Sequence, residues 1–388
     1  MFRRVVQLVS SLKLTAFCLG LAAILVFAGT MAQVEQGLYV AQTRYFRSLF
    51  VYWSPPGAAW KLPVFPGGYL IGGVMLLNLM ATGVQRFQRY RFAPKHLGLL
   101  MIHVGLILLL LGQLVTDLLS EESAMQFQVG ETKQYSEDFR AHELAVIDGT
   151  DPKEEKVVAV PESVLARGGD VSLPGTPLTL RVIHYWPNAE ILKAAAPGSV
   201  PAQATQGIGK DKHVLLRSPA ARTEERNTPA ALVEVVSGGT ASGSWLVSTL
   251  MDSPQALASQ GREYQLAFRA RRHYTPFSLT LIDCAHDVYP GSDIPKNFSS
   301  RVRVQHRATG EDREVLIKMN DPLRYGGNAY YQYQMAPPQA AVKSSTLQVV
   351  RNPGWLTPYL SCALVGLGLT WQFLAHLIGF LKDRRHEN

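Results

Sequence analysis

Four stretches of this 388-residue chain are apolar, nearly charge-free and about as long as a bilayer is thick: Leu14–Ala32, Gly67–Val84, Leu97–Thr116 and Trp355–Leu381. A helix needs about 20 such residues to cross hydrocarbon, so the runs predict four transmembrane α-helices. The overall hydrophobic content of 47% is ordinary and conceals them, because a long polar insert separates the third run from the fourth. The expected architecture is a membrane protein with four transmembrane α-helices and a large all-β, sandwich-like extracytoplasmic domain inserted between helices 3 and 4. Its parts are a membrane portion over 1–119 with an outer loop at 33–66, a β-rich domain over 120–354, and the fourth helix with its tail over 355–388.

The net charge of +8 raises the question of nucleic acid, and its placement answers it. Arg3, Arg4 and Lys13 precede the first run, Arg86, Arg89, Arg91 and Lys95 separate the second from the third, and Lys382, Arg384 and Arg385 follow the fourth. Against these ten bases the same segments hold two acids, Asp383 and Glu387, which accounts for the whole surplus. Such bias is the positive-inside pattern. It predicts an inner-membrane, multi-pass protein with both termini and the short basic loop cytoplasmic, and it removes the support for a nucleic-acid partner. Met1–Lys13 with the first run resembles a signal peptide, but the run is longer than a typical signal core, so a retained anchor is expected.

The segment Leu38–Trp53, rich in Tyr, Phe and Trp and ended by Pro55-Pro56, reads as an amphipathic helix lying on the outer leaflet, or as a platform for a planar aromatic ligand. The second run carries Gly67, Gly68, Gly72, Gly73 and Asn78, which suits close helix packing with one polar cross-link. Beyond Asp117 the pattern turns to short alternating runs: Leu178–Trp186, Ala231–Val236, Phe277–Asp283, Arg301–His306, Glu314–Lys318, Ala329–Gln334 and Thr346–Val350. These predict antiparallel strands in a sandwich or a pair of sheets. Ala194–Pro229 lacks periodicity and reads as a mobile excursion. Three cysteines, Cys18, Cys284 and Cys362, offer no CxxC pair and no disulfide within the insert. Six insert histidines are scattered; the tightest grouping, Asp283-Cys284-Ala285-His286-Asp287, precedes a Pro-Gly turn and reads as turn chemistry rather than a metal site.

The third run holds the chemistry. Its glycines fall at 98, 105 and 112 and its histidines at 96 and 103, both with a period of seven. At about 100° per residue these sets form two stripes about 200° apart. One face is therefore small enough for close helix packing, and the opposite face bears imidazoles. His96 falls at the cytoplasmic interface and His103 about 10 Å deeper. An imidazole at that depth needs partners for its ring nitrogens, and two readings stand: a hydrogen bond to another helix, or an axial ligand for haem. His376 in the fourth run lies at about the depth of His96, which opens an internal bis-His pair. No span histidine faces His103, so a second ligand for it would come from another protein.

Three stretches resemble the ResB/CcsB family of the system II cytochrome c maturation pathway: Ser11–Thr15 with Gly29-Thr30, His96–Gly112, and Tyr289–Ser300 followed by Asn320–Gly327 and Tyr330–Tyr333. The order of four spans with one large domain before the last is similar too. The resemblance implies a non-autonomous subunit of a haem-exporting cytochrome c synthase, with no catalytic residue of its own. It implies haem b held transiently by His103, with His96 as the fallback ligand of the haem iron. It also implies a ResC/CcsA-type membrane partner that supplies the other histidines and a tryptophan-rich haem-presenting motif. The six tryptophans here are scattered, so that motif is absent from this chain. The remaining implied partners are apocytochrome c, whose CxxCH cysteines receive the haem, and a thioredoxin-like thiol reductant. Two other classes stand beside this one: a b-type electron-transfer subunit with permanent haem, and a membrane-anchored binding or scaffold protein without cofactor.

Overall fold

The computed structural model describes the chain except residues 1–6, 56–59, 91–93, 152–153, 221–224, 252, 292–294, 338–339 and 388. Arg3, Arg4 and Arg91 of the charge pattern, and Ser292, Asp293 and Ile294 of the Tyr289–Ser300 stretch, lie outside the described residues. So do the side chains of Arg86, Arg89, Lys95, Asp383, Arg385 and Glu387. The described residues divide into a helical unit, within Met1–Glu121 and Asn352–Asn388, and a β unit within Glu122–Arg351.

In the helical unit, α1 (Leu12–Gln36), α2 (Gly68–Tyr90), α3 (Pro94–Leu119) and α4 (Thr357–Glu387) are each long and apolar enough to cross a membrane. Ser11 caps α1, its hydroxyl accepting from the Lys13 amide at 3.2 Å. Asn78, almost wholly buried in α2, donates to the carbonyls of Val9 (2.6 Å) and Ser11 (3.1 Å) and accepts from the Thr15 hydroxyl (2.7 Å). That is the expected polar cross-link. The glycines of α2 are another matter. A Cβ on Gly72 or Gly73 would meet nothing, whereas Gly67 and Gly68 lie hard against the backbone of Ser48 and Phe46.

The segment between α1 and α2 is not one surface helix. Gly37, at φ 81°, ends α1, and a single helical turn Leu38–Ala41 and a π-helical turn Gln42–Phe46 follow. Then β1 (Phe50–Trp53) pairs antiparallel with β2 (Leu62–Pro66). The alternation of aromatic and β-branched residues in β1, with Val51 buried, wins over a helical reading. Asp117 at the end of α3 ties this segment down, pairing with Arg47 at 2.7 Å and accepting a hydrogen bond from the Tyr69 hydroxyl.

The β unit contains β3 (Glu121–Gln128), β4 (Thr132–Asp151), β5 (Glu154–Pro161), β6 (Gly169–Ser172), β7 (Leu178–Trp186), β8 (Ala189–Leu192), β9 (Val200–Pro201), β10 (His213–Leu216), β11 (Ala230–Ser237) and β12 (Thr240–Ser248). It continues with β13 (Gln255–Ser259), β14 (Arg262–Val288), β15 (Pro295–His306), β16 (Glu311–Lys318), β17 (Leu323–Tyr325), β18 (Asn328–Met335) and β19 (Ser344–Arg351). All seven runs expected as strands fall within strands. The long antiparallel pair β4 and β14 slips register at Ala270/Arg272 and at Tyr274/Leu279, which divides it between two lobes. In one lobe the second half of β4, flanked by β5, and the first part of β14, flanked by β13, contribute Leu144 and Val146, and Tyr264 and Leu266, to a core. The sheet β12-β11-β7-β6 supplies Leu178, Leu180, Val233 and Val235 to the same core, a two-sheet sandwich. In the other lobe, β16-β15-β14-β4-β3-β19-β18-β17 curls until β18 lies against β15 and β16. It encloses Met125, Phe127, Leu279, Val302, Ile317 and Tyr330. Each fully buried side chain of this kind contributes about 1.5–3 kcal/mol.

Ala194–Pro229 departs from the expected excursion. Its described residues include β9 and β10, which join β8 in a small sheet, and Ala202, Ala204 and Val214 are buried with Trp186 and Leu232 in a third core. Small residues at irregular intervals fill a tight space here, a role that periodicity does not reveal.

Candidate functional site

The glycine stripe of α3 meets α4. A Cβ on Gly98 would fall 2.6 Å from the Gly368 carbonyl oxygen, one on Gly105 would fall 2.7 Å from Val365 Cγ2, and one on Gly112 would overlap Thr357 Cγ2. Gly368 reciprocates against the Gly98 carbonyl and Ile102. The two helices are antiparallel and in contact through backbone along most of α3, the arrangement that small residues at a seven-residue interval permit.

His103 therefore lies on the face of α3 that α4 leaves free, and it is half-buried. Its Nδ1 sits 2.9 Å from the Leu99 carbonyl oxygen, one turn back on the same helix. A carbonyl oxygen only accepts, so the neutral ring carries its proton on Nδ1 and presents the Nε2 lone pair outward. This is the protonation and orientation that an axial iron ligand requires, with the second nitrogen held by a backbone acceptor. The residues present thus fit a haem iron at Nε2. His103 is the tenth residue of α3, about 14 Å from the start of the helix and about 24 Å from its end.

His96 is also half-buried, at the third position of α3. The contacts of Gly98 with Gly368 and Gln372 set Gln372 about level with His96. His376, one turn further along α4, is exposed, and its Nε2 lies 2.8 Å from Gln372 Nε2. His376 is thus engaged by its own helix, a partner that the depth argument did not supply.

In the β unit the six histidines go separate ways. His142 bonds Glu162 at 2.8 Å, the His184 ring centroid lies 4.4 Å from that of Trp186, and His213 is at the start of β10. His273 lies 3.5 Å from Asp138, His286 Nδ1 lies 3.1 Å from the Ala336 carbonyl, and His306 Nδ1 accepts from the Thr309 amide. Asp283 accepts from the Cys284 amide and pairs with exposed Lys343, while burial raises the Cys284 thiol pKa. Among the described residues, no three His, Cys, Asp or Glu side chains converge as a metal site.

One polar group escaped the sequence reading. Glu162, at the one-turn helix after β5, accepts from the backbone and ring of His142 and from the Tyr185 hydroxyl. Burial alone would raise its pKa, but the bonds from His142 and Tyr185 outweigh burial and hold the carboxyl below its ordinary value. Burial and the Glu162 carboxylate together push the Tyr185 phenol upward. The three residues are far apart in sequence, and no local pattern announces them.

The ResB-like family matches this chain over residues 93–343, which run from the start of α3 through almost the whole β unit. The chain belongs to the ResB-like family. Protein NrfI of Wolinella succinogenes is 27% identical to it over 315 residues, covering 78% of this chain and 29% of NrfI. The chain thus spans less than a third of the length of that relative. Of the three stretches that resemble the family, His96–Gly112 and Tyr289–Ser300 with Asn320–Gly327 and Tyr330–Tyr333 lie inside the family match, and Ser11–Thr15 with Gly29-Thr30 lies outside it.

Proposed function

We propose that this chain is a membrane-embedded, non-autonomous subunit of a cytochrome c synthase, working with a ResC/CcsA-type partner to carry haem across the membrane for attachment to apocytochrome c. Membership in the ResB-like family supports a role in cytochrome c biogenesis, and four apolar helices with the basic segments between and after them support insertion with both termini inside. The β unit then lies on the outer side of the cytoplasmic membrane, where a thioredoxin-like reductant would keep the CxxCH thiols of the apocytochrome available.

The observation that carries the reading is the Nδ1 to Leu99 bond of His103. It directs Nε2 away from the helix on the face opposite to the α4 contact. In this proposal Nε2 gives one axial ligand to the haem iron and the partner subunit gives the other. Haem is cargo here, so His103 holds and orients it without taking part in bond making. In this proposal the bilayer hydrocarbon at the depth of His103 would keep water from the iron, which favours retention of the haem until it is passed on. His96, at the start of α3, is the fallback ligand.

The test is the absorption spectrum of the purified two-subunit complex. His103→Ala should lose most of the bound haem, and added imidazole should restore part of it. His96→Ala should leave the spectrum near that of the parent complex. Unchanged haem in His103→Ala together with loss in His96→Ala would transfer the assignment to His96.

A further inference from the structure

The segment between α1 and α2 lines an open cavity of about 510 Å³ that haem handling does not explain. Arg44, Lys61, Thr43, Ser48, Tyr52 and Trp53 are among its lining. Two cations thus face one space. Arg44 is held by neutral acceptors, Gln36 Oε1 at 3.2 Å and the Tyr52 carbonyl at 3.0 Å, so it is fixed in place with its charge uncompensated. Lys61 is exposed and makes no ion pair among the described residues. Arg47, the other base of the segment, is already neutralised by Asp117. Glu35 is the one acid between residues 33 and 66, and it does not line the cavity.

The hydroxyls indicate what sits beside the anion. Thr43 donates to the Tyr39 carbonyl and Ser48 to the Arg44 carbonyl, so both oxygens remain as acceptors for a ligand that carries hydroxyl groups. Phe50, Tyr52, Trp53 and Leu62 of the hairpin are each 39–51% exposed. Aromatic and aliphatic side chains displayed beside cations are suited to the headgroup level of a bilayer.

We propose that this cavity binds the headgroup of an anionic, hydroxylated phospholipid of the phosphatidylglycerol type. Arg44 and Lys61 hold the phosphate, Thr43 and Ser48 accept from the glycerol hydroxyls, and the acyl chains run along the exposed apolar side chains of the hairpin. The assignment rests on the reading that the four helices span a membrane.

Native mass spectrometry of the full chain in detergent, titrated with phosphatidylglycerol, tests it. The parent protein should retain one lipid, Lys61→Gln should weaken retention about fivefold, as expected for about 1 kcal/mol per base, and Lys61→Arg should restore it. Equal retention by Lys61→Gln overturns the proposal, as does complete displacement by millimolar inorganic phosphate, which would mark a site for the free anion. An alkaline wash of membranes separates the two readings. Release of the chain overturns membrane spanning and this site with it, whereas a chain that stays in the membrane but binds lipid independently of residue 61 overturns the site alone.

Discussion

The helical unit and the β unit are held together by different physics. Large apolar side chains of α1 and α4, such as Phe27 and Leu367, are more than half exposed, while those in the β cores, such as Leu279 and Val302, are fully buried. Burial of apolar area therefore stabilises the β unit. The pair α3 and α4 instead coheres through backbone approach at Gly98, Gly105 and Gly112, while α1 and α2 meet in a small apolar cluster of Cys18, Leu25 and Ile71 and through polar links, those of Asn78 and Asp117 above all. In a bilayer that is the expected division, because lipid tails remove the gain from burying Leu against Leu.

The contrast is broken most directly by truncating leucines on both sides of it. Leu279→Ala should destabilise the β unit by about 2–5 kcal/mol, lowering its thermal transition, as for other large-to-small core changes. Leu367→Ala, at a site 61% exposed, should move that transition hardly at all. Equal effects would mean that the helices too depend on burial among themselves.

The reverse substitution probes the helices. Gly105→Leu drives a side chain into Val365 and the Ser361 carbonyl and should cost about 1–3 kcal/mol by overpacking. Disulfide cross-linking of paired cysteines placed along α3 and α4 should fall in efficiency, while the β transition stays in place.

Acid distinguishes the units by charge. A carboxyl held below its ordinary pKa contributes fully above the unfolded value of 4.5, and the contribution is lost as pH falls through the lower folded value. The β unit should therefore weaken as pH drops below about 4.5. Glu162→Gln should remove part of that dependence, at a cost near neutrality on the order of 1–3 kcal/mol for the charged bonds to His142 and Tyr185. A melting series from pH 7 to pH 3 reads both. The smallest effect belongs to Asp312→Asn, which loosens an ion pair with Arg303 whose members are 41% and 49% exposed and should hardly move the melting temperature.

How much was legible depends on the range of the interaction. The alternation in Leu178–Trp186 and the spacing of Gly98, Gly105 and Gly112 are local, and both led to the right kind of surface. The segment 38–53 misled because its aromatic residues satisfy a helical and a β pattern alike, and the partner that decides, β2, lies beyond a pair of prolines. Ala194–Pro229 misled because small residues in a tight core leave no periodic trace. For the candidate site, the residue and its depth on α3 were legible, since rise and period follow from the helix alone.

The sequence by itself determined four apolar helices, a strand-rich insert, the charge bias and the residues that mark the ResB-like family, because each depends on neighbours along the chain. Only the tertiary structure decided that α4 covers the glycine stripe, that His103 turns Nε2 away from its helix, that Glu162 gathers His142 and Tyr185, and that Arg44 and Lys61 face one cavity. Those outcomes depend on which distant segments meet and on the rotamers their packing leaves open, and neither is written in local period or composition.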